Sequence, residues 1–226
     1  MKNSAGIIIF AVVLSIIVII TSCTNKLGKT SNISFSKDEN NLLNKVGFDK
    51  EVFQILKKDF NCKILELVPD YIEDKSEIKG VYVTAKGEDT AYKKVFDLKE
   101  PLKQKGYIIF ISDLGYNENP YKIGIVKGND KYDSLRYMAT NGINYDHDTN
   151  DVINKLKEWD KTYGIEIIGS GMDFVEVRLE RLPKDLKAFS NEVYGYCPDS
   201  VDQGVGTIGA LENYFKDTSR VYMWWD

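Results

Sequence analysis

Tyr107-Ile-Ile-Phe-Ile-Ser112 and Tyr121-Lys-Ile-Gly-Ile-Val-Lys127 are separated by Leu114–Pro120, a stretch rich in turn formers. The first run is almost continuously apolar, which predicts a central strand buried on both faces. The second alternates, as a strand does when its two faces differ. Together they predict a hairpin. Working outward, Lys79–Ala85 (KGVYVTA) is rich in β-branched and aromatic residues and reads as a strand. Glu88–Lys105 places Ala91, Val95, Leu98 and Leu102 on one helical face; Pro101 predicts a break near Glu100, and Gly106 a stop. On the other side, Thr149–Tyr163 reads as a helix with Val152, Ile153, Leu156 and Trp159 on its inner face. Ile165–Ile168 and Phe174–Leu182 flank Gly169-Ser-Gly171 as a second hairpin.

The ends complete the order. Asn40–Phe60 has helical spacing with Asp49 as an N-cap, and Lys63–Val68 is a weaker strand stopped by Pro69. Asp130–Ala139, Lys184–Tyr194 and Thr207–Phe215 read as helices, and Arg220–Trp225 as a final strand. Paired strands alternating with helices predict an α+β fold: a mixed, largely antiparallel sheet packed with helices in a single domain over residues 40–226.

The chain has 226 residues, 43% apolar and 28% charged, with a net charge of −4. That charged share argues against a multi-span membrane protein. The mild acidity leaves no electrostatic footprint for nucleic acid. Met1-Lys-Asn-Ser and the uncharged Ala5–Ile20 form a leader short of the ~20 residues a spanning helix needs. It ends in Ile20-Thr21-Ser22-Cys23, which resembles a bacterial lipobox. That resemblance implies a signal peptide over 1–22, lipid (palmitate included) on Cys23, and anchorage at the extracytoplasmic face of the cell membrane. Residues 23–39, polar in composition, read as a flexible tether.

Candidate chemistry is sparse. His147 is the only histidine, which removes zinc sites of the two-histidine type. With Cys197 and Asp199 it is the weak catalytic candidate, a general base beside a thiol; the alternative is a solvated loop histidine. Asp146, Asp148 and Asn150 open like a calcium loop, but Asp151 and Lys157 stand where glycine and a bidentate Glu belong. Helix capping by Asp148 and Asp151 accounts for the same residues. Asp199, Asp202 and Asp226 form a second acidic group, suited to a hard cation or to turn and cap duties. Cys62 and Cys197 either pair as a disulfide or sit as small core residues. Trp224 and Trp225, adjacent on a strand, point to opposite faces. One belongs in the core; the other lies under a helix or at a binding surface, and burial of both is expected. No cofactor motif is present, since Gly204, Gly206 and Gly209 lack the preceding strand that a phosphate loop requires.

Thr140-Asn-Gly142, Leu156–Gly164 (LKEWDKTYG), Asp173 before a strand, Pro183, Tyr194–Gly204 (YGYCPDSVDQG) and the terminal Arg220–Asp226 occur in an order that resembles a bacterial family, domain of unknown function 4253. The resemblance covers about residues 137–226 and implies an α+β domain without an established activity. Members of that family are often predicted to be cytosolic, so the lipobox is a departure.

These readings lead to a membrane-anchored lipoprotein that acts as a non-catalytic module binding a protein partner, an immunity-like role being one version. Asn141, Tyr145, Asp199, Asp202, Trp224, Trp225 and Asp226 are its candidate binding surface. A hydrolase or metal-dependent enzyme using His147 or Asp199 and Asp202, and a small-ligand-binding lipoprotein, are the alternatives.

Overall fold

β3 (Tyr107–Asp113) and β4 (Tyr121–Lys127) pair antiparallel as the expected hairpin, and β3 lies inside a seven-stranded sheet. A computed structural model describes residues 33–71, 79–116 and 119–226, and Ile33–Asp226 form one compact unit. The leader, Cys23 and most of the tether fall outside the described residues. Among the described residues no helix is long and apolar enough to cross a membrane.

In chain order the elements are α1 (Lys37–Val46), α2 (Lys50–Phe60), β1 (Leu65–Leu67), β2 (Gly80–Ala85), α3 (Glu88–Lys103), β3, β4 and α4 (Asp133–Met138). They continue with α5 (Thr149–Tyr163), β5 (Ile165–Ser170), β6 (Phe174–Leu179), α6 (Leu186–Tyr196), α7 (Ile208–Thr218) and β7 (Arg220–Trp224). The sheet order is β1-β2-β4-β3-β5-β6-β7. Neighbours are antiparallel except β3 and β5, which run parallel at the centre. The fold is therefore α+β with a mixed, largely antiparallel sheet, in which two antiparallel halves join along one parallel seam.

Adjacent residues of β5 show how the layers divide. Ile168 packs with α1, α2 and α3 against β2, β3 and β4, whereas Ile167 packs with α5, α6 and α7 against β6 and β7. Successive strand residues face opposite ways, so the two helix groups cover opposite faces of opposite halves. Trp159, Phe189 and Phe215 sit in the second layer with ring centroids 5.2 to 5.4 Å apart. The face of β6 and β7 away from that layer carries Phe174, Glu176, Tyr222 and Trp224, and α3 borders it through Tyr92.

Several boundaries differ from expectation for local reasons. The helix expected over Asn40–Phe60 is two helices, because Gly47 adopts φ 64° and ends α1 in a left-handed cap. The first helix starts at Lys37, inside the expected tether, with Ser36 and Glu39 forming a capping box. Asp49 stands at the N-cap of α2 without a side-chain cap bond, and its N–H instead bonds the Tyr107 hydroxyl at 2.9 Å. The break expected near Glu100 is absent, and α3 runs through Pro101 to Lys103. Pro101 occupies the exposed last turn, where the one lost backbone bond leaves a carbonyl facing solvent and not the core. For α5 the boundaries are those expected, with Asp148 and Asp151 in a capping box.

Candidate functional site

Loop 140–148, the segment after α6 and the end of β7 meet at one corner, so the structure does bring His147, Cys197 and Asp199 into one neighbourhood. Each is engaged in holding the chain. The His147 ring stacks on Tyr196 with centroids 4.2 Å apart, and its Nε2 contacts the Tyr196 carbonyl at 3.2 Å. Backbone bonds between Gly142 and His147 close the loop between them. The Cys197 thiol is fully buried; it donates to the Trp224 carbonyl at 3.1 Å and accepts from Ser200 Oγ at 3.2 Å. Burial pushes this thiol's pKa up, opposite to what an activated nucleophile needs.

Asp199 accepts from the Tyr145 hydroxyl at 2.8 Å, Gln203 Nε2 at 2.9 Å and the Asp226 N–H at 3.1 Å. Burial opposes its ionisation, but these three bonds hold its pKa below the ordinary carboxylate range. The same bond pushes the Tyr145 phenol up to about 12. Asp202 turns to the Tyr194 hydroxyl at 3.3 Å. Among the described residues no group of three or more His, Cys, Asp or Glu side chains could hold a metal ion, so the acidic trio does not converge.

Cys62 and Cys197 are both free thiols, which corrects the disulfide reading. The Cys62 sulfur contacts the Thr84 carbonyl on β2, and that of Cys197 the Trp224 carbonyl on β7. Those strands stand second and seventh across the sheet, so ~4.8 Å per strand separates them by about 24 Å. A bridge needs Cα atoms within about 7 Å. Trp225 is also corrected: it is a core residue, 3% exposed, not part of a binding surface. Trp224 is the half-buried one, so the expected burial of both does not hold.

Trp224 opens onto a groove of about 380 Å³. The groove lies at the C-terminal ends of the parallel strands β3 and β5, where the two antiparallel halves of the sheet meet. Phe174, Tyr222 and Trp224 supply aromatic walls, and Leu67 and Met138 an apolar flank. Val68, Tyr116 and Met172 border it as well, each among the exposed large apolar residues of the described chain. Among the described residues its charged groups are Asp70, Asp113, Lys122 and Asp173. Lys122 binds Asp113 at 2.7 Å, and the Trp224 indole N–H donates to Asp173 at 3.3 Å. Asp113 keeps its pKa below the usual range: burial opposes ionisation, and the Lys122 ammonium and Gly115 N–H outweigh it.

Deeper on the same sheet face lies Glu176, 1% exposed, which accepts from the Tyr92 hydroxyl and pairs with Arg220 at 3.2 Å. Burial raises its pKa against the lowering effect of Tyr92 and Arg220. Arg220 also reaches Glu88 at 3.2 Å and lies over the Tyr92 ring. This network braces α3 against β6 and β7 beside the groove.

Of the residues expected at a binding surface, Trp224 alone lines the groove; Asn141 touches its border, donating its backbone N–H to the Met172 carbonyl at 2.8 Å. Asp70, Tyr116, Lys122, Met172, Phe174 and Tyr222 come from distant segments with no shared motif, so the sequence does not mark them as one site. No curated protein and no solved structure matches the chain. Residues 122–226 match the family model described as Domain of unknown function (DUF4253), so the resemblance seen over about residues 137–226 holds and reaches back to include β4.

Proposed function

We propose that the chain is a lipoprotein of the bacterial cell envelope, held by lipid on Cys23 at the extracytoplasmic face of the cell membrane, and that it serves as a non-catalytic module binding a protein partner. The supporting observation is the apolar border of the groove: Val68, Tyr116 and Met172 expose large apolar surface beside the half-buried Trp224. Contiguous exposed apolar surface around an aromatic anchor is costly in water and characteristic of partner contacts. The hydrolase reading has less to support it, because the Cys197 thiol bonds Trp224 and Ser200 in place of His147. A second reading, capture of a small ligand, is favoured by the groove's volume of about 380 Å³, within the range of small-molecule sites.

The test is site-specific photo-crosslinking in cells from Met172 and Tyr116, with the exposed Leu182 as a remote control. A single crosslinked protein from the groove positions, lost in Trp224→Ala, is the expected result. Equal crosslinking from Leu182 would overturn the assignment. Lipid attachment is checked separately with a metabolic fatty-acid label, which Cys23→Ser should abolish.

A further inference from the structure

We infer that the groove takes a peptide segment carrying a lysine or arginine side chain between apolar residues. This rests on the groove being the binding site. Among the described residues three carboxylates, Asp70, Asp113 and Asp173, line it against one cation, Lys122. Asp113 binds that ammonium at 2.7 Å and Asp70 adds to the negative field around it, so among the described lining residues negative charge exceeds positive by two. An anionic segment would desolvate those carboxylates against like charge, whereas a cationic one neutralises them.

The aromatic wall points the same way. Asp173 accepts the Trp224 indole N–H at 3.3 Å, which adds electron density to the ring and strengthens its attraction for a cation over its face. The flanking positions are apolar: Val68, Tyr116 and Met172 would meet neighbouring side chains of the segment, and the unbranched methionine adapts to their shape. A cationic side chain with apolar neighbours therefore matches charge, ring and border together.

The experiment uses the full chain in a non-ionic detergent with ¹⁵N-labelled tryptophan. Its three indole signals separate Trp224 in the groove from Trp225 and Trp159 in the core. The probes are a blocked alternating leucine–lysine hexapeptide and its glutamine and glutamate counterparts. The lysine peptide should shift the Trp224 signal and leave Trp159 in place, binding about tenfold more tightly than the glutamine peptide. Asp70→Asn, which leaves the Trp224–Asp173 bond intact, should weaken it several-fold, and Asp173→Asn more. Equal binding of all three peptides at Trp224 would overturn the cationic preference and keep the groove. Shifts confined to Trp159 or Trp225, or none with any peptide, would overturn both.

Discussion

The Cys197 thiol donates to the carbonyl oxygen of Trp224 at 3.1 Å, and Ser200 Oγ lies 3.3 Å from the carbonyl of Tyr222. Both carbonyls belong to β7, the edge strand of the sheet. An uncovered edge offers a row of unpaired backbone groups to any passing strand. Here the turn Cys197–Val205 lies along it: the Cys197 thiol bonds the Trp224 carbonyl, and the one Ser200 hydroxyl hydrogen is shared between the Cys197 sulfur and the Tyr222 carbonyl. The Tyr194–Gly204 motif thus closes the sheet, and its cysteine has a structural task.

Replacing that thiol should therefore act on stability. Cys197→Ala leaves the Trp224 carbonyl without its side-chain donor and opens a small void, costing about 1–3 kcal/mol in urea denaturation. In the native protein an alkylating reagent should modify Cys62 before Cys197. Intact mass should show no two-proton deficit, and reductant should leave the melting temperature unchanged. A deficit located to Cys62 and Cys197 would refute this account.

Gly142 has an ordinary negative φ of −122°, so its need is for space. A Cβ there would stand 2.8 Å from Trp225 Nε1, and the indole is fixed in the core. Gly142→Ala should cost about 1–3 kcal/mol by overpacking, and a control such as Gly195→Ala, where nothing lies within 4 Å, should not. Loss of the Trp225 near-ultraviolet signal in Gly142→Ala alone would identify the contact. Equal stability of the two variants would argue against it.

Local pattern carried much of the architecture. Tyr107–Ser112 declared a buried strand because five adjacent side chains are apolar, and α5 declared its start because Asp148 and Asp151 are three residues apart. Gly47 was illegible as a stop, since a single glycine inside a helical pattern is tolerated as often as it ends a helix. The groove was hidden for a different reason. Asp70, Lys122, Met172 and Trp224 come from four segments that the sheet brings together across the parallel seam of β3 and β5, and no spacing along the chain encodes that. Cys197 and Asp199 drew attention by residue type, yet their partners are backbone groups and a phenol that sequence does not place.

The first helix implies a boundary earlier than polar composition suggests. Phe35 packs edge-on to Phe53 with centroids 5.9 Å apart, and Ser36 caps α1. A chain beginning at Asn40 lacks that ring, the cap and Glu39. It should melt well below one beginning at Ile33, since a cap alone is worth about 1 kcal/mol and the half-buried Phe35 ring adds its packing to that. Coincident melting curves would mean that this segment is dispensable.

Glu39 also gives the fold a defined acid sensitivity. It is 4% exposed, and its carboxylate accepts from the Ser36 N–H at 2.9 Å, Lys57 Nζ at 2.9 Å and the Ile64 N–H at 3.2 Å. Burial opposes ionisation, but those donors prevail and lower its pKa from 4.5 to about 2. A carboxyl whose folded pKa lies below its unfolded value stabilises the fold when ionised. Its contribution is complete above the unfolded value and disappears as pH falls through the folded one, and a shift of this size corresponds to about 3 kcal/mol. Asp113 and Asp199 shift in the same direction, so the Glu39 share is read as a difference. Glu39→Gln should be destabilised by about 2–3 kcal/mol at neutral pH, the gap narrowing as acid protonates the wild-type carboxyl. Urea denaturation across that range should give curves that converge near pH 2, the folded pKa. Parallel curves would show that Glu39 is not the carboxylate that ties α1 to α2 and β1.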